Sequence, residues 1–221
     1  YDPEKYLPPL STIHKWNELV QIAIKVAPGI DYLTRPEIGY SQVEFISVQR
    51  ELKEAVLWVR CGEPWRIATL LGHDGVIHHM HTSQYWTEKN NTEVKFSEPC
   101  GWLNEPDPSI IRATMVSTLA NQLGGAMLDP TIAYFTTECK PDSVWVRSWR
   151  ILDWMPFNLK KLKAYLRQRN IGTLTVKKRG SPITPEELES KLKLKGDNSL
   201  TVVLTRLHGN PIVIICEDYA P

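Results

Sequence analysis

A glycine-rich loop of the G-x-G-x-x-G or P-loop kind is missing from all 221 residues, so the sequence holds no recognisable cradle for the phosphates or ribose of a nucleotide or nucleoside cofactor. Cysteine is scarce and scattered. Cys61, Cys100, Cys139 and Cys216 stand singly with no C-x-x-C among them, which argues against a zinc knuckle or a redox pair and leaves free thiols as the expectation. No stretch comes near the roughly 18 uninterrupted apolar residues of a membrane span, and Tyr1 to Pro9 has neither the charged n-region nor the apolar h-region of a secretory signal. A cytoplasmic protein without membrane contact is expected. G-x-S-x-G, H-E-x-x-H and a nucleophilic cysteine with a nearby histidine are absent too, so hydrolase chemistry has no support and no catalytic residue is assigned.

What is present is enough apolar residue, 42% of the chain, to bury a real core in one large domain or two small ones. The net charge is only +1, yet it is unevenly spread: residues 1–154 carry 14 basic against 19 acidic side chains, and 155–221 carry 12 against 6. The two parts therefore stand at −5 and +6. Such asymmetry is a common footprint of a module that meets a polyanion, although a solvated helical surface can also be basic.

Strands and helices alternate through the first 71 residues, which suggests an α/β sheet. Residues 11–21 read as a short helix, Ile22 to Val26 as a strand stopped by Ala27-Pro28-Gly29, Val43 to Val48 as a second strand, Arg50 to Trp58 as a helix and Arg66 to Leu71 as a third strand. From Gly72 to Glu105 the pattern loosens into an insertion or connecting hairpin, with only a short strand candidate at Val76-Ile77. Asp107 then suits an N-cap and Pro108 the first helical position, and the spacing of Ile111, Met115, Leu119 and Leu123 predicts one helix over about 108–123.

Strands at Ile132 to Thr136 and Val144 to Trp154 lead into the basic part. Its first helix, about 158–169, sets Leu159, Leu162 and Leu166 on one face and Lys160, Lys163 and Arg167 on another. Leu174 to Gly180 reads as a strand running into a turn, and Thr184-Pro185-Glu186-Glu187 opens a second helix with a capping box and an N1 proline. Gly196 is expected to stop that helix, and Leu200 to Thr205 with Ile212 to Ile215 should form a hairpin around Gly209-Asn210-Pro211. The order is strand, helix, strand, helix, strand, strand.

Several tempting features carry little. His73, His78, His79 and His81 lie close together, and on a strand His79 and His81 would share a face. Without cysteine ligands, and with Asp74 the one close carboxylate, a polar hairpin is the better account than a metal site. Trp145 and Trp149 alternate with Val144 and Val146 and are read as core in preference to a base-stacking platform. Asn90-Asn91-Thr92 matches a glycosylation acceptor only formally, and Leu7-Pro8-Pro9-Leu10 lacks the flanking residues of the D-P-P-Y loop of amino-group methylases.

The cations converge more informatively. Lys160, Lys163 and Arg167 lie on one helix, Lys177, Lys178 and Arg179 at the end of a strand, and Lys191, Lys193 and Lys195 at the end of the next helix, and all nine are candidates for binding nucleic-acid phosphate. Alternation sends Lys177 and Arg179 to one face and Lys178 to the other, and the bland reading of that run is a charged edge strand.

Phe157 to Lys163, Ile171 to Gly180, Pro185 to Leu188 and Leu204 to Arg206 together resemble the THUMP-like domain at the C-terminus of certain bacterial class I S-adenosylmethionine-dependent methyltransferases. Upstream, Tyr6 to Leu10, Ile24 to Ile30, Glu54 to Trp58, Arg66 to Leu71, Glu105 to Arg112 and Leu128 to Tyr134 look like the later part of the same proteins. The resemblance implies an α/β protein: an incomplete Rossmann-like methyltransferase sheet over 1–72, with Ile22 to Val26 its fifth strand and Val43 to Val48 and Arg66 to Leu71 its last two. An insertion and connecting helix would follow over 73–143, and a small α+β THUMP-like domain over 144–221. It further implies that the chain is a fragment whose S-adenosylmethionine site lies upstream, so that no cofactor binds here and RNA is the partner. The competing expectation is a stand-alone, non-catalytic nucleic-acid- or protein-binding module.

Overall fold

The computed structural model describes residues 3–16, 21–32, 40–63, 65–82 and 94–218, which form a mixed α/β protein with two sheets. Contacts divide the chain into two compact units, one of residues 1–93 and 107–115, the other of 94–106 and 116–221. The segment expected as an insertion over 73–143 is thus shared between them. Among the described residues no helix is long and apolar enough to cross a membrane.

The first unit is built on strands β1 (Ile22–Val26), β2 (Tyr40–Val48), β3 (Glu51–Val59), β4 (Arg66–Leu71) and β5 (Ile77–Thr82), in the sheet order β1-β3-β2-β4-β5. Only β2 and β4 run parallel. The expected helix over Arg50 to Trp58 is instead β3, and the sheet neighbours of β1 are accordingly β3 and then β2, with Arg66–Leu71 one place further out. The reason is local. Gln49 and Arg50 both take positive φ, 50° and 67°, closing a two-residue hairpin of the primed kind that matches strand twist. Within β3, Ala55, Leu57 and Val59 are buried at a period of two.

A short 3₁₀ segment, Leu10–Lys15, replaces part of the helix expected over 11–21; residues 17–20 lie outside those described, as does Asn90-Asn91-Thr92. Helix α1 (Pro108–Arg112) seals the sheet face that holds Val43, Phe45, Ala55, Leu57, Ala68 and Leu70. Asp107 caps it, its Oδ1 accepting from Ser109 N at 2.9 Å, and Pro108 occupies the first turn. The single helix expected over 108–123 is broken after Arg112, because Thr114 turns left-handed (φ 56°). Its hydroxyl is the acceptor for Arg66 Nη1 and for Tyr32 Oη, and that half-buried polar contact accompanies the break in the helix. Arg112 donates to Pro28 O (2.6 Å) and Ile30 O and lies over the rings of Tyr32 and Phe45, tying the loop after β1 to the core.

The second unit holds β6 (Trp102–Pro106), α2 (Val116–Gln122), β7 (Ala126–Asp129), β8 (Ile132–Thr137), β9 (Val146–Pro156), α3 (Leu159–Gln168), β10 (Ile171–Lys178), α4 (Pro185–Leu192), β11 (Asn198–Leu207) and β12 (Asn210–Cys216). Its seven strands run β10-β11-β12-β9-β6-β8-β7, antiparallel except for β10 with β11. The order β9-α3-β10-α4-β11-β12 is the one expected, whereas β6 and β7 went unread.

Alternation along β11 and β12 divides this core in two. Val202, Leu204, Val213 and Ile215 meet Leu162 and Leu166 of α3 and Leu188 and Leu192 of α4. Val203, Leu207, Ile212, Ile214 and Cys216 meet Leu103, Leu128, Ile132, Tyr134 and Trp149 on the other side. The four helix leucines are essentially unexposed, which at about 1.5–3 kcal/mol each holds both short helices to the sheet. Helix α4 ends at Lys193, left-handed at φ 47°, and not at Gly196. Gly196 is needed for a different reason: a Cβ there would lie 2.2 Å from Asn170 O.

Candidate nucleic-acid interface

Helix α3 is started by Asn158, whose side chain accepts from Lys161 N at 3.0 Å, and its buried leucines leave the cations outward. Lys160 and Arg167 are exposed. Lys163 is half-buried and donates from Nζ to Lys191 O at 3.0 Å, so it cross-links α3 to the last turn of α4 and supplies a cation at that helix's negative end. That contact sets the cations of the two helices side by side. Lys191, Lys193 and Lys195 are all exposed there.

Sequence reasoning passed over two further groups. Lys161 is exposed on α3, and Arg169 packs over the Tyr165 ring at 3.5 Å from its centroid. The four-residue spacing of Tyr165 and Arg169 on a helix was the available signal. Burial raises the pKa of the Tyr165 phenol above its ordinary value.

Helix α4 opens with the full capping box: Thr184 Oγ1 accepts from Glu187 N at 3.2 Å and Glu187 Oε2 accepts from Thr184 N at 3.1 Å. A cleft of about 320 Å³ beside its C-terminal end is lined by Gly172 to Leu174, Glu189 and Leu192 to Leu194, so it carries one carboxylate as well as Lys193.

The Lys177 to Arg179 run is split by the sheet, as alternation requires. Lys178 is exposed, on the side where Leu174 and Val176 pack beneath the helices. Lys177 and Arg179 turn the other way and converge on Glu105 of β6: Lys177 Nζ lies 2.9 Å from Oε2 and Arg179 Nη2 3.4 Å from Oε1. Lys177 also sits over the Trp149 ring (4.3 Å) and Arg179 over Tyr134 (5.2 Å). Trp149 is buried, as its reading as core expects. The Tyr134 hydroxyl is buried and donates to Glu105, and burial, then the Glu105 charge, push its pKa well above the usual phenol range.

A depression of about 740 Å³ in the first unit is largely apolar, with Leu7, Pro8, Pro9, Leu10 and Ile13 along it. Its two lysines are ion-paired, Lys25 with Glu54 and Lys53 with Glu51, each at 2.5 Å. It does not suit a phosphate. Two exposed histidines of β5 have neighbours on one face: His79 Nδ1 lies 2.9 Å from Thr69 Oγ1, and His81 stacks on Trp65.

Comparison with known proteins accords with the second unit. Residues 146–218 match the THUMP domain-like family. Over 193 residues the chain is 27% identical to uncharacterized S-adenosylmethionine-dependent methyltransferases from two strains of Mycobacterium tuberculosis, CDC 1551 / Oshkosh and ATCC 25618 / H37Rv, covering 84% of this chain and 50% of theirs. The chain spans about half the length of these curated relatives. In fold it is similar to a candidate methyltransferase from Porphyromonas gingivalis W83 known from its crystal structure, with a TM-score of 0.74 and 18% identity over 90% of this chain and 51% of that one. The resemblance read from the sequence, to S-adenosylmethionine-dependent methyltransferases carrying a THUMP-like domain, is borne out.

Proposed function

We propose that this chain serves an S-adenosylmethionine-dependent methyltransferase as its substrate-docking part, that the substrate is RNA, and that the exposed cations of α3 and α4 meet its phosphates. The observation that carries the reading is the Lys163 contact with Lys191 O, which sets Lys160, Lys163 and Arg167 beside Lys191, Lys193 and Lys195 in the part that matches the THUMP-like family. Each such cation neutralising a phosphate displaces counterions and gives salt-dependent, sequence-independent affinity. Lys178 extends the patch. Lys177 and Arg179 contribute less in this reading, since Glu105 already offsets them.

The methyl donor is assigned to the part of the curated relatives that this chain does not span. The turn after β1, where a donor-binding loop could be sought, has the Pro28 and Ile30 carbonyls bound by Arg112, and no glycine-rich strand-to-helix turn is found among the described residues. These residues do not fit the donor, and no chemical step is derived for it. Calorimetry with S-adenosylmethionine should accordingly give no heat with this chain.

The docking reading is tested by salt titration of binding to a tRNA or rRNA fragment. Changing Lys160, Arg167, Lys191 and Lys195 together to Gln should lower affinity and flatten the log–log salt slope by roughly 3, at about 0.7–0.9 per phosphate contact. The pair Lys177→Gln and Arg179→Gln should change the slope by less than about 1. Binding unaltered in the fourfold variant sinks the proposal.

A further inference from the structure

The outward face of the first sheet carries a carboxylate that alternation alone would leave in water. Glu44 of β2 is 9% exposed, and its sheet partners on that face are Val56 and Ile67. Trp58 Nε1 donates to its Oε2 at 3.0 Å and the Thr69 hydroxyl donates to its Oε1 at 2.5 Å. Both donors are neutral, and Glu44 makes no salt bridge among the described residues. A carboxylate offers about four acceptor positions and Glu44 uses two of them, and a buried anion with open positions is costly unless a donor group fills them.

Around it lies a pocket of about 520 Å³, within the range of small-molecule sites, lined among others by Gln42, Trp58, Trp65, Ile67, His79 and His81. Trp65 and His81 stack at 4.4 Å between centroids and 15° between planes, which gives the pocket a flat aromatic wall. The hydrogen of the Thr69 hydroxyl is directed to Glu44, so at the 2.9 Å contact with His79 its oxygen accepts, which places a proton on His79 Nδ1. The pocket thus offers acceptors and a planar wall.

We infer that this pocket binds a guanine base, stacked on the Trp65–His81 wall with its N1–H and exocyclic N2–H directed to the two oxygens of Glu44. Among the common neutral bases only guanine places two adjacent N–H donors on one edge. Adenine and cytosine set an amino group beside a bare ring nitrogen, and the lone N–H of uracil is flanked by carbonyls. Recognition of an unpaired base by stacking together with hydrogen bonds to its pairing edge is the general mode for single-stranded RNA. The site stands on its own geometry and applies equally to a guanine nucleotide free in solution.

Calorimetric titration of the full chain with GMP, IMP, AMP and N-acetylarginine amide tests this. GMP should bind at least roughly tenfold more tightly than IMP, which lacks only the N2 amino group, or AMP, as loss of one bidentate contact implies. Glu44→Gln should abolish the preference while its circular dichroism and urea midpoint report that the fold is kept, and His81→Ala should weaken all nucleotides alike. The wild-type GMP to IMP ratio decides the matter even if a variant fails to fold. Equal affinities for the three nucleotides overturn the inference, and so does tighter binding of the arginine derivative, which would make the pocket a guanidinium site for a protein partner. An oligonucleotide with one unpaired G that binds more tightly than GMP names RNA as the source of the base, and one that binds no better names the free nucleotide; either result upholds the site.

Discussion

The two units treat their buried and half-buried acids differently. In the second, Asp129 and Glu105 are braces: Asp129 Oδ1 accepts from Thr131 N and Oγ1, its Oδ2 accepts from Gly209 N at 2.6 Å, and Glu105 holds two cations. In the first, Asp107 and Glu44 have only neutral donors, and Asp107 Oδ2 has no partner among the described residues. Asp129 and Glu105 each take three donors and lie near a cation, whereas Glu44 takes two neutral donors and no cation, which leaves it the more available to something else. The contrast separates Glu105, a residue of the scaffold beneath the basic face, from Glu44, which lines a pocket.

The largest effect is expected at Asp107, which caps α1 and serves its own fold although its donors are neutral. Its Oδ1 accepts from Ser47 Oγ, Ser109 N and Ser109 Oγ in a site with no exposure, so Asp107→Ala strands the two Ser109 donors, leaves Ser47 Oγ only its 3.4 Å contact with Thr69 O and removes a helix cap. A loss of about 3 kcal/mol in urea unfolding is expected. A loss below about 1 kcal/mol would show that these donors do not depend on their acid, and Asp107 would stand with Glu44 as an acid the fold does not need.

Asp129 comes next and sharpens the comparison through pH. Burial opposes ionisation, but the hydrogen bonds from Thr131 and Gly209 and the Arg206 charge prevail and lower its pKa below the ordinary 3.8. A depressed folded pKa stabilises above the unfolded value and is lost as pH falls through the folded one. Asp129→Asn should therefore cost about 2 kcal/mol at neutral pH, with the gap to wild type closing in acid below about pH 4. A cost constant with pH would mean that shape and not charge joins the β7–β8 turn to the β11–β12 hairpin.

How much of this was legible in the sequence depended on range. The helices α3 and α4, the N-terminal capping box of α4 and the strand order around them were readable because a capping box and a 3.6-residue stripe are local signals. The β2–β3 hairpin was not, since Gln49-Arg50 lacks the Asn-Gly that usually announces two left-handed residues, and so β3 passed for a helix. Likewise the nine cations were legible as charge, but the Glu105 that holds two of them lies 72 residues from Lys177. His79 and His81 could be placed on one face by alternation alone. That this face also holds Glu44, Trp58 and Thr69 required the register of four strands.

Glu105 itself should show a smaller effect than Asp129. Lys177 and Arg179 are about a quarter and a third exposed, and water screens much of what Glu105 supplies, so Glu105→Gln should cost about 1 kcal/mol and less in high salt. Thiol labelling extends the contrast within the same unit: burial pushes the Cys216 thiol up to about 12, so it should react only on unfolding, while exposed Cys100 and Cys139 label at once.

The smallest effect on stability is expected at Glu44, and there the comparison is most exposed. In Glu44→Gln the amide oxygen can keep the Trp58 bond, and the amide NH₂ can donate to Thr69 Oγ1, whose freed hydrogen turns to a His79 ring deprotonated at Nδ1. The relay reverses without stranding a donor, and an anion lacking a cationic partner is removed from a 9% exposed site. Urea unfolding should therefore place Glu44→Gln within about 0.5 kcal/mol of wild type or above it. A loss as large as that at Asp129 would mean that the Glu44 charge serves the fold, as the acids of the second unit do, and that its open acceptor positions are no sign of a ligand.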